Sequence, residues 1–151
     1  MSKVVHPYAL RLPLIRDWKS RWFKTGSEYR NTLIADTKIR AYLEKKLRTA
    51  SVADIEIERG PKTTRIVIHT ARPGVIIGRS GESATVLRTD LAKFMKREQL
   101  ELSADLKIDI VEVTNPDANA TIIAQSIAEM LEKRMTFRRV LKQTTEKVMA
   151  A

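Results

Sequence analysis

The sequence predicts an α+β fold in which helices pack on a three-stranded sheet. Three stretches, residues 54–58, 65–69 and 106–110, alternate apolar and polar side chains, and this period of two is typical of half-buried strands. Around them, apolar residues recur every three or four positions, as in amphipathic helices. The chain has 151 residues, of which 43% are hydrophobic, so it is long and apolar enough to bury such a core.

A helix is predicted to begin near Thr37, with Ile39, Leu43 and Leu47 on its buried face. The first two strands follow it. Gly60 and Pro61 stand between them and indicate a turn, so the two strands are predicted to form a hairpin. His69, on the second strand, is predicted to be a solvated or satisfied histidine rather than a catalytic one.

After the hairpin comes a short apolar run, then two glycines separated by two residues, then a long amphipathic helix with Leu87 and Leu91 on its apolar face. A glycine has no Cβ, so a nucleic-acid backbone can approach the main chain closely. The first amides of the following helix are unpaired and carry the positive end of its dipole, which favours a phosphate. The predicted RNA-binding loop consists of Gly78, Arg79, Ser80 and Gly81.

The order strand, helix, Gly-x-x-Gly, helix, strand is that of the KH core, whose loop clamps about four nucleotides of single-stranded backbone. Here a helix and a strand precede the core instead of following it. This order indicates the type II variant, and we predict a type II KH domain over residues 37–113.

Residues 1–36 are predicted to form a basic, aromatic arm. Residues 1–50 hold 12 basic and 4 acidic side chains, and five of the eight aromatic residues lie in the first thirty positions. Trp18, Trp22 and Phe23 could stack on bases or anchor the arm to the core, and we favour anchoring. The residues of the arm that are predicted to bind RNA are Lys3, His6, Arg11, Arg16, Lys19, Arg21 and Lys24.

Two helices are predicted after the third strand. Asn115, as a cap, and Pro116, at the first helical position, would start one of them, and its buried face would carry Ile123, Ile127 and Leu131. The other restarts near Thr136, and its apolar residues are Val140, Leu141 and Val148. We expect this last apolar face to fold back on the preceding helix or to be covered by a neighbour.

The final helix also carries a basic stripe. Arg134, Arg138 and Lys142 are spaced by four, so they are predicted to stack along one helical face, with Arg139 about 100° away. A solvated basic face would give the same pattern.

The composition excludes several kinds of site. Without cysteine there is no disulfide and no thiolate nucleophile or ligand, and two histidines far apart are too few for a usual zinc site. No apolar stretch approaches the roughly 20 residues of a membrane helix. Phosphate-loop, His-Glu-x-x-His and Gly-x-Ser-x-Gly motifs are also missing, so no enzyme, metal or cofactor is expected. The net charge of +10 favours a polyanionic partner.

Several stretches along the whole chain resemble one family: KVVHP at 3–7, DWKSRWF at 17–23, HTARPGVIIG at 69–78, VTNP at 113–116 and TFRRVLKQ at 136–143. The family is bacterial-type ribosomal protein S three, a small-subunit head protein with a type II KH domain. Members usually have two basic residues between the loop glycines, whereas Ser80 replaces the second one here. They also have a further domain after the helix that ends here near Ala151.

The resemblance implies a structural rather than catalytic role. It implies binding to ribosomal RNA in the head of the small subunit, contact with messenger RNA where it enters, and ribosomal proteins S ten and S fourteen as neighbours. Arg138, Arg139 and Lys142 match family residues that grip the incoming message, and we add Arg134 to them. Residues 114–151 would be the helical start of a truncated C-terminal domain, and the location would be a cytoplasmic or organellar ribosome. The alternative is a free-standing KH-domain chaperone or regulator of RNA.

Overall fold

The computed structural model describes residues 5–12, 14–100 and 105–151, so Lys3 lies outside the described residues. The helices are α1 (Gly26–Lys46), α2 (Pro73–Ile77), α3 (Glu82–Arg97), α4 (Ala120–Glu132) and α5 (Phe137–Ala150). The strands are β1 (Ser20–Arg21), β2 (Val52–Arg59), β3 (Thr63–Thr70) and β4 (Asp105–Glu112). This order confirms the α+β class and the predicted arrangement of a hairpin, a short helix, a long helix and a strand.

The sheet has the order β1-β2-β3-β4. The predicted hairpin is present, since β2 and β3 pair antiparallel, whereas β1–β2 and β3–β4 are parallel. The three predicted strands are therefore β2, β3 and β4, and the expected number of three is one too low. The fourth strand, β1, comes from the arm, and two residues are too few to give a recognisable period.

The first helix begins at Gly26 rather than near Thr37. Between these positions the buried side chains are Thr32, Ala35 and Asp36, so the buried face of these turns contains no large apolar residue. The amphipathic pattern that marks a helix in sequence appears only from Ile39 onward, where Ile39 and Leu43 are fully buried.

The core lies between the helices and one face of the sheet. From the sheet it takes Ile57, Ile66 and Ile68, and from α3 the predicted Leu87 and Leu91. Each such side chain contributes about 1.5–3 kcal/mol when it is fully buried. This packing fixes the start of α3, and with it the glycine loop, relative to the sheet.

The predicted start of α4 was wrong. Asn115 and Pro116 open only a short 3-10 turn, and the helix begins at Ala120, capped by Asn119. The side-chain oxygen of Asn119 accepts hydrogen bonds from the amides of Thr121 and Ile122, at 3.0 and 3.4 Å. The later cap brings Ile122 into the core, which was not among the predicted buried residues.

The predicted buried faces of both terminal helices are only partly buried. On α4, Ile123 and Ile127 are half-buried and Leu131 is exposed. On α5, Val140 is fully buried, whereas Leu141 and Val148 are 50% and 43% exposed. The expected folding back of α5 on α4 is confirmed by the contacts between the two helices, but of the three predicted apolar side chains only Val140 is buried.

Candidate nucleic-acid interface

The glycine loop, residues Gly78, Arg79, Ser80 and Gly81, connects α2 to α3. Three of its residues have left-handed backbones: φ is +70° at Gly78, +56° at Ser80 and +79° at Gly81. A Cβ on Gly78 would lie 2.2 Å from the Oγ of Ser83, whereas one on Gly81 would meet nothing within 4 Å. Gly78 is therefore required both by its backbone and by its close approach to α3, and Gly81 by its backbone alone.

The loop presents polar groups to solvent at the start of α3. Arg79 and Ser80 are both exposed, and α3 begins directly after the loop at Glu82. The amide of Gly78 donates to the carbonyl of Gly74 at 2.9 Å and closes α2, while Ile76 holds α2 against the core. All four predicted loop residues thus lie together, beside the positive dipole end of a long helix, whose first amide, that of Glu82, donates to the carbonyl of Arg79.

In the arm, two predicted cations are held in ion pairs with the domain. Arg21 lies 2.6 Å from Asp17 and 2.5 Å from Glu58, and Lys19 lies 3.0 Å from Asp54. The hydrogen bonds that Arg21 donates to the carboxylates of Glu58 and Asp17 raise its pKa. The amide of Trp18 and then the guanidinium of Arg21 lower the pKa of the Asp17 carboxyl.

Of the other described arm residues, His6, Arg11 and Arg16 are exposed. Arg11 donates to the Pro7 carbonyl at 2.8 Å, and Arg16 lies 5.9 Å from the centroid of the Tyr8 ring. His6 is exposed, and its Nδ1 accepts from the Tyr8 amide at 3.2 Å. Lys24 is half-buried. An RNA-binding role for these residues stays a prediction.

A buried carboxylate attaches the arm to the domain. Asp36 is fully buried and accepts two hydrogen bonds from Arg59, at 2.8 and 2.6 Å, and one from the indole nitrogen of Trp22, at 2.7 Å. Trp22 is thus an anchor, as predicted. The same prediction is wrong for Trp18 and Phe23, which are 58% and 88% exposed.

Three of the four predicted message-contacting cations lie on α5. Arg138, Arg139 and Lys142 are all exposed, and the guanidinium of Arg138 lies 5.8 Å from the centroid of the Phe137 ring. Arg134 is not on the helix, because it lies in the connection between α4 and α5 with φ at +60°. The predicted four-residue spacing from Arg134 therefore does not produce a shared helical face.

On the outer face of the sheet, His69 is half-buried and lies 3.4 Å from the nearer carboxylate oxygen of Glu56. Among the described residues, no group of three or more His, Asp or Glu side chains could hold a metal ion. Within the same residues, every helix is too short or too polar to span a membrane.

Comparison with known proteins agrees with this geometry. The chain is 40% identical over 149 residues to small ribosomal subunit protein uS3 of Clostridium acetobutylicum, covering 99% of the chain and 64% of that protein. Against the proteins of the same name from Ectopseudomonas mendocina and Shewanella amazonensis the identity is 42%, over 62% of their lengths. The chain therefore spans less than two thirds of the length of these curated relatives.

A family model described as a KH domain matches residues 38–118. This stretch is more than half of the chain, and it includes the last nine residues of α1 (38–46), the hairpin, the glycine loop, α3 and β4. The chain therefore belongs to the KH domain family.

Proposed function

We propose that this protein is a structural constituent of the small ribosomal subunit, where it binds ribosomal RNA in the head and contacts messenger RNA at the channel through which it enters. The observation that carries the proposal is the glycine loop at the start of α3, in a chain similar over 99% of its length to proteins named for the small subunit. The role is one of binding and support, not of catalysis.

The three parts of the chain have different proposed roles. Residues 37–113 form the KH domain, whose loop would take a phosphate of ribosomal RNA. Residues 1–36 form the arm, in which Arg11, Arg16 and Lys24 would add phosphate contacts, while Lys19 and Arg21 serve chiefly to hold the arm in place. Residues 114–151 form the C-terminal part, which contains α4 and α5.

The proposed partners are ribosomal RNA, messenger RNA and ribosomal proteins S ten and S fourteen, in a cytoplasmic or organellar ribosome. The exposed apolar side chains of α5, among them Leu141 and Val148, support a neighbour on this side of the molecule, because water would otherwise face them. Arg138, Arg139 and Lys142 on α5 would then face the message.

Co-sedimentation tests the proposal. The tagged chain, expressed in bacterial cells, should sediment with small subunits in equal numbers and remain bound at moderate salt. A protein that dissociates, or that is present well below one copy per subunit, would instead be a free-standing KH-domain chaperone or regulator.

The finer proposal concerns Arg138, Arg139 and Lys142. Replacing all three by Gln should slow translation through a stable messenger hairpin, because cations that grip the strand are lost, while incorporation into subunits is unchanged. A triple variant of Lys45, Lys62 and Lys133, all outside α5, removes the same charge elsewhere and is the control. Normal passage through the hairpin by the α5 variant would refute the assignment.

A further inference from the structure

Helices α1 and α3 lie side by side and antiparallel, joined by three contacts along their outer seam. Lys38 pairs with Glu98 at 2.8 Å, the rings of Tyr42 and Phe94 stack with centroids 4.3 Å apart, and Lys46 pairs with Asp90 at 2.5 Å. The carboxylates of Glu98 and Asp90 on α3 are therefore each paired with a lysine of α1.

Two hollows lie along this seam, which we call the α1–α3 groove. The first, of about 360 Å³, lies where the end of α1 and helix α2 meet the start of α3, and its lining includes Val86 and Ser83, the residue that packs against Gly78 of the loop. The second, of about 180 Å³, lies around Tyr42 and Phe94. Lys46 and Asp90 contribute to the walls, Lys46 to the first hollow and Asp90 to the second. The groove thus leads from the glycine loop toward the far end of α3.

Among the described residues, the C-terminal end of α3 carries positive side chains that form no ion pair with α1. Lys93 and Lys96 are exposed and, within the part of the chain that the structure describes, form no ion pair. The side chain of Arg97 is 74% exposed, and its guanidinium lies 5.6 Å from the centroid of the Phe94 ring. Its distance to Glu98 is 3.9 Å, longer than the pair that Glu98 makes with Lys38.

Cations beside a planar stack are the groups that bind single-stranded nucleic acid. Lysines hold successive phosphates, and unpaired bases stack on aromatic rings and on guanidinium planes for about 1–3 kcal/mol per base. An acidic peptide would use the charges but would gain nothing from the cation–π contact of Arg97 with Phe94. The arrangement therefore favours RNA over an acidic protein segment.

We propose that the α1–α3 groove extends the RNA-binding surface of the glycine loop. A strand whose phosphate lies at the loop continues along α3, over a helix about 22 Å long, to Lys93 and Lys96, and a base stacks on Arg97. The inference rests on the proposed RNA-binding function of the loop. It also predicts that the loop alone accounts for a short oligonucleotide, whereas the groove contributes only to a longer one.

The test measures the affinity of the full chain for oligouridines of about 4 and about 12 nucleotides. Replacing Lys93, Lys96 and Arg97 by Gln should weaken the longer RNA about tenfold or more and leave the shorter one unchanged. The plot of log affinity against log salt for the longer RNA should lose about 1.4 from its slope, since Lys93 and Lys96 each hold one phosphate and each single-strand phosphate contributes about 0.7. The matched control replaces Lys62, Lys133 and Lys147 by Gln and should keep the slope. Equal effects of the two variants would overturn the proposal.

A second pair of variants separates the groove from the loop. Asp and Asn both tolerate a left-handed backbone, so S80D places a negative charge in the loop and S80N is its neutral control. S80D should weaken both oligonucleotides. If it changes neither, the proposed function of the loop fails, and the groove variant still reports on the groove.

The stacking of a base on Arg97 can be tested separately from the charge. R97K keeps the charge but lacks the planar guanidinium, so the longer RNA should bind about threefold or more weakly with an unchanged salt slope. Inorganic polyphosphate, which has no bases, should bind the R97K variant and the wild type equally. If R97K binds the longer RNA as the wild type does, no base stacks on Arg97.

Discussion

Single residues differ in how well the sequence predicts them, and the loop glycines and Asp36 mark the two extremes. The glycines are predicted because two glycines spaced by two residues between helices indicate a tight turn that allows a close backbone approach at a helix start. Asp36 is not, because an acidic residue on a helix usually faces solvent, and its partner Arg59 lies on a strand that comes later in the chain. Only the folded chain places the two side chains in contact.

The two loop glycines should respond differently to the same substitution. In G81A the alanine must adopt a left-handed backbone, which lowers the free energy of unfolding by about 1–2 kcal/mol, and its Cβ meets no other atom. G78A places a Cβ on a backbone with φ of +70° and ψ of −172°, a region open essentially to glycine alone that costs about 1–3 kcal/mol. It also creates an overlap with Ser83, which adds about 1–3 kcal/mol. Urea unfolding of both variants measures the difference. Equal losses would mean that α3 moves freely away from the loop.

Among the elements, the long strands and the amphipathic part of α3 are predictable because their periods are set by which face is buried. Elements that bury polar or small groups are not. The first turns of α1 bury Thr32 and Asp36, and β1 is two residues long, so neither has an apolar period. The start of α4 was misplaced because Asn115 and Asn119 both resemble caps, and the choice between them depends on packing.

The seam between α1 and α3 should make stability depend on acid pH. A hydrogen bond from Lys46 lowers the pKa of Asp90, and one from Lys38 lowers that of Glu98. Because both folded pKa values lie below the ordinary 3.8 and 4.5, the stabilisation is fully present above those values and is lost as the pH falls through the lowered ones. The double variant D90N/E98Q should therefore lose less stability than the wild type below about pH 5. Chemical denaturation across this range tests it, and parallel curves would contradict it.

At the scale of the whole molecule, the arm and the KH domain share a buried ion pair. The sequence predicts both parts from composition and order, and it predicts Trp22 as an anchor. It does not predict that Arg21 and Lys19 turn toward the sheet, because their acidic partners are spread over strand residues that look solvent-facing. Some basic side chains of the arm therefore form ion pairs with the sheet, and others face solvent.

Asp36 should couple arm docking to stability. In D36N the guanidinium of Arg59, whose side chain is 6% exposed, loses its charged partner, and breaking such a pair costs about 3–5 kcal/mol. Urea unfolding measures the loss, and Trp22 fluorescence should report release of the arm before the domain unfolds. D17N, which removes an exposed partner of Arg21, is the control and should change stability little. A D36N protein as stable as D17N would exclude this coupling.

The parallel pairing of β3 with β4 has a consequence for synthesis of the chain. The hairpin of β2 and β3 involves neighbours in sequence and can close early, but Thr63 pairs with Asp105 and Thr70 with Glu112. Until those residues have emerged, one edge of β3 is open, and α3 lacks the strand that it covers. Contacts this distant in sequence form slowly, so the glycine loop reaches its final place only after most of the protein has been made.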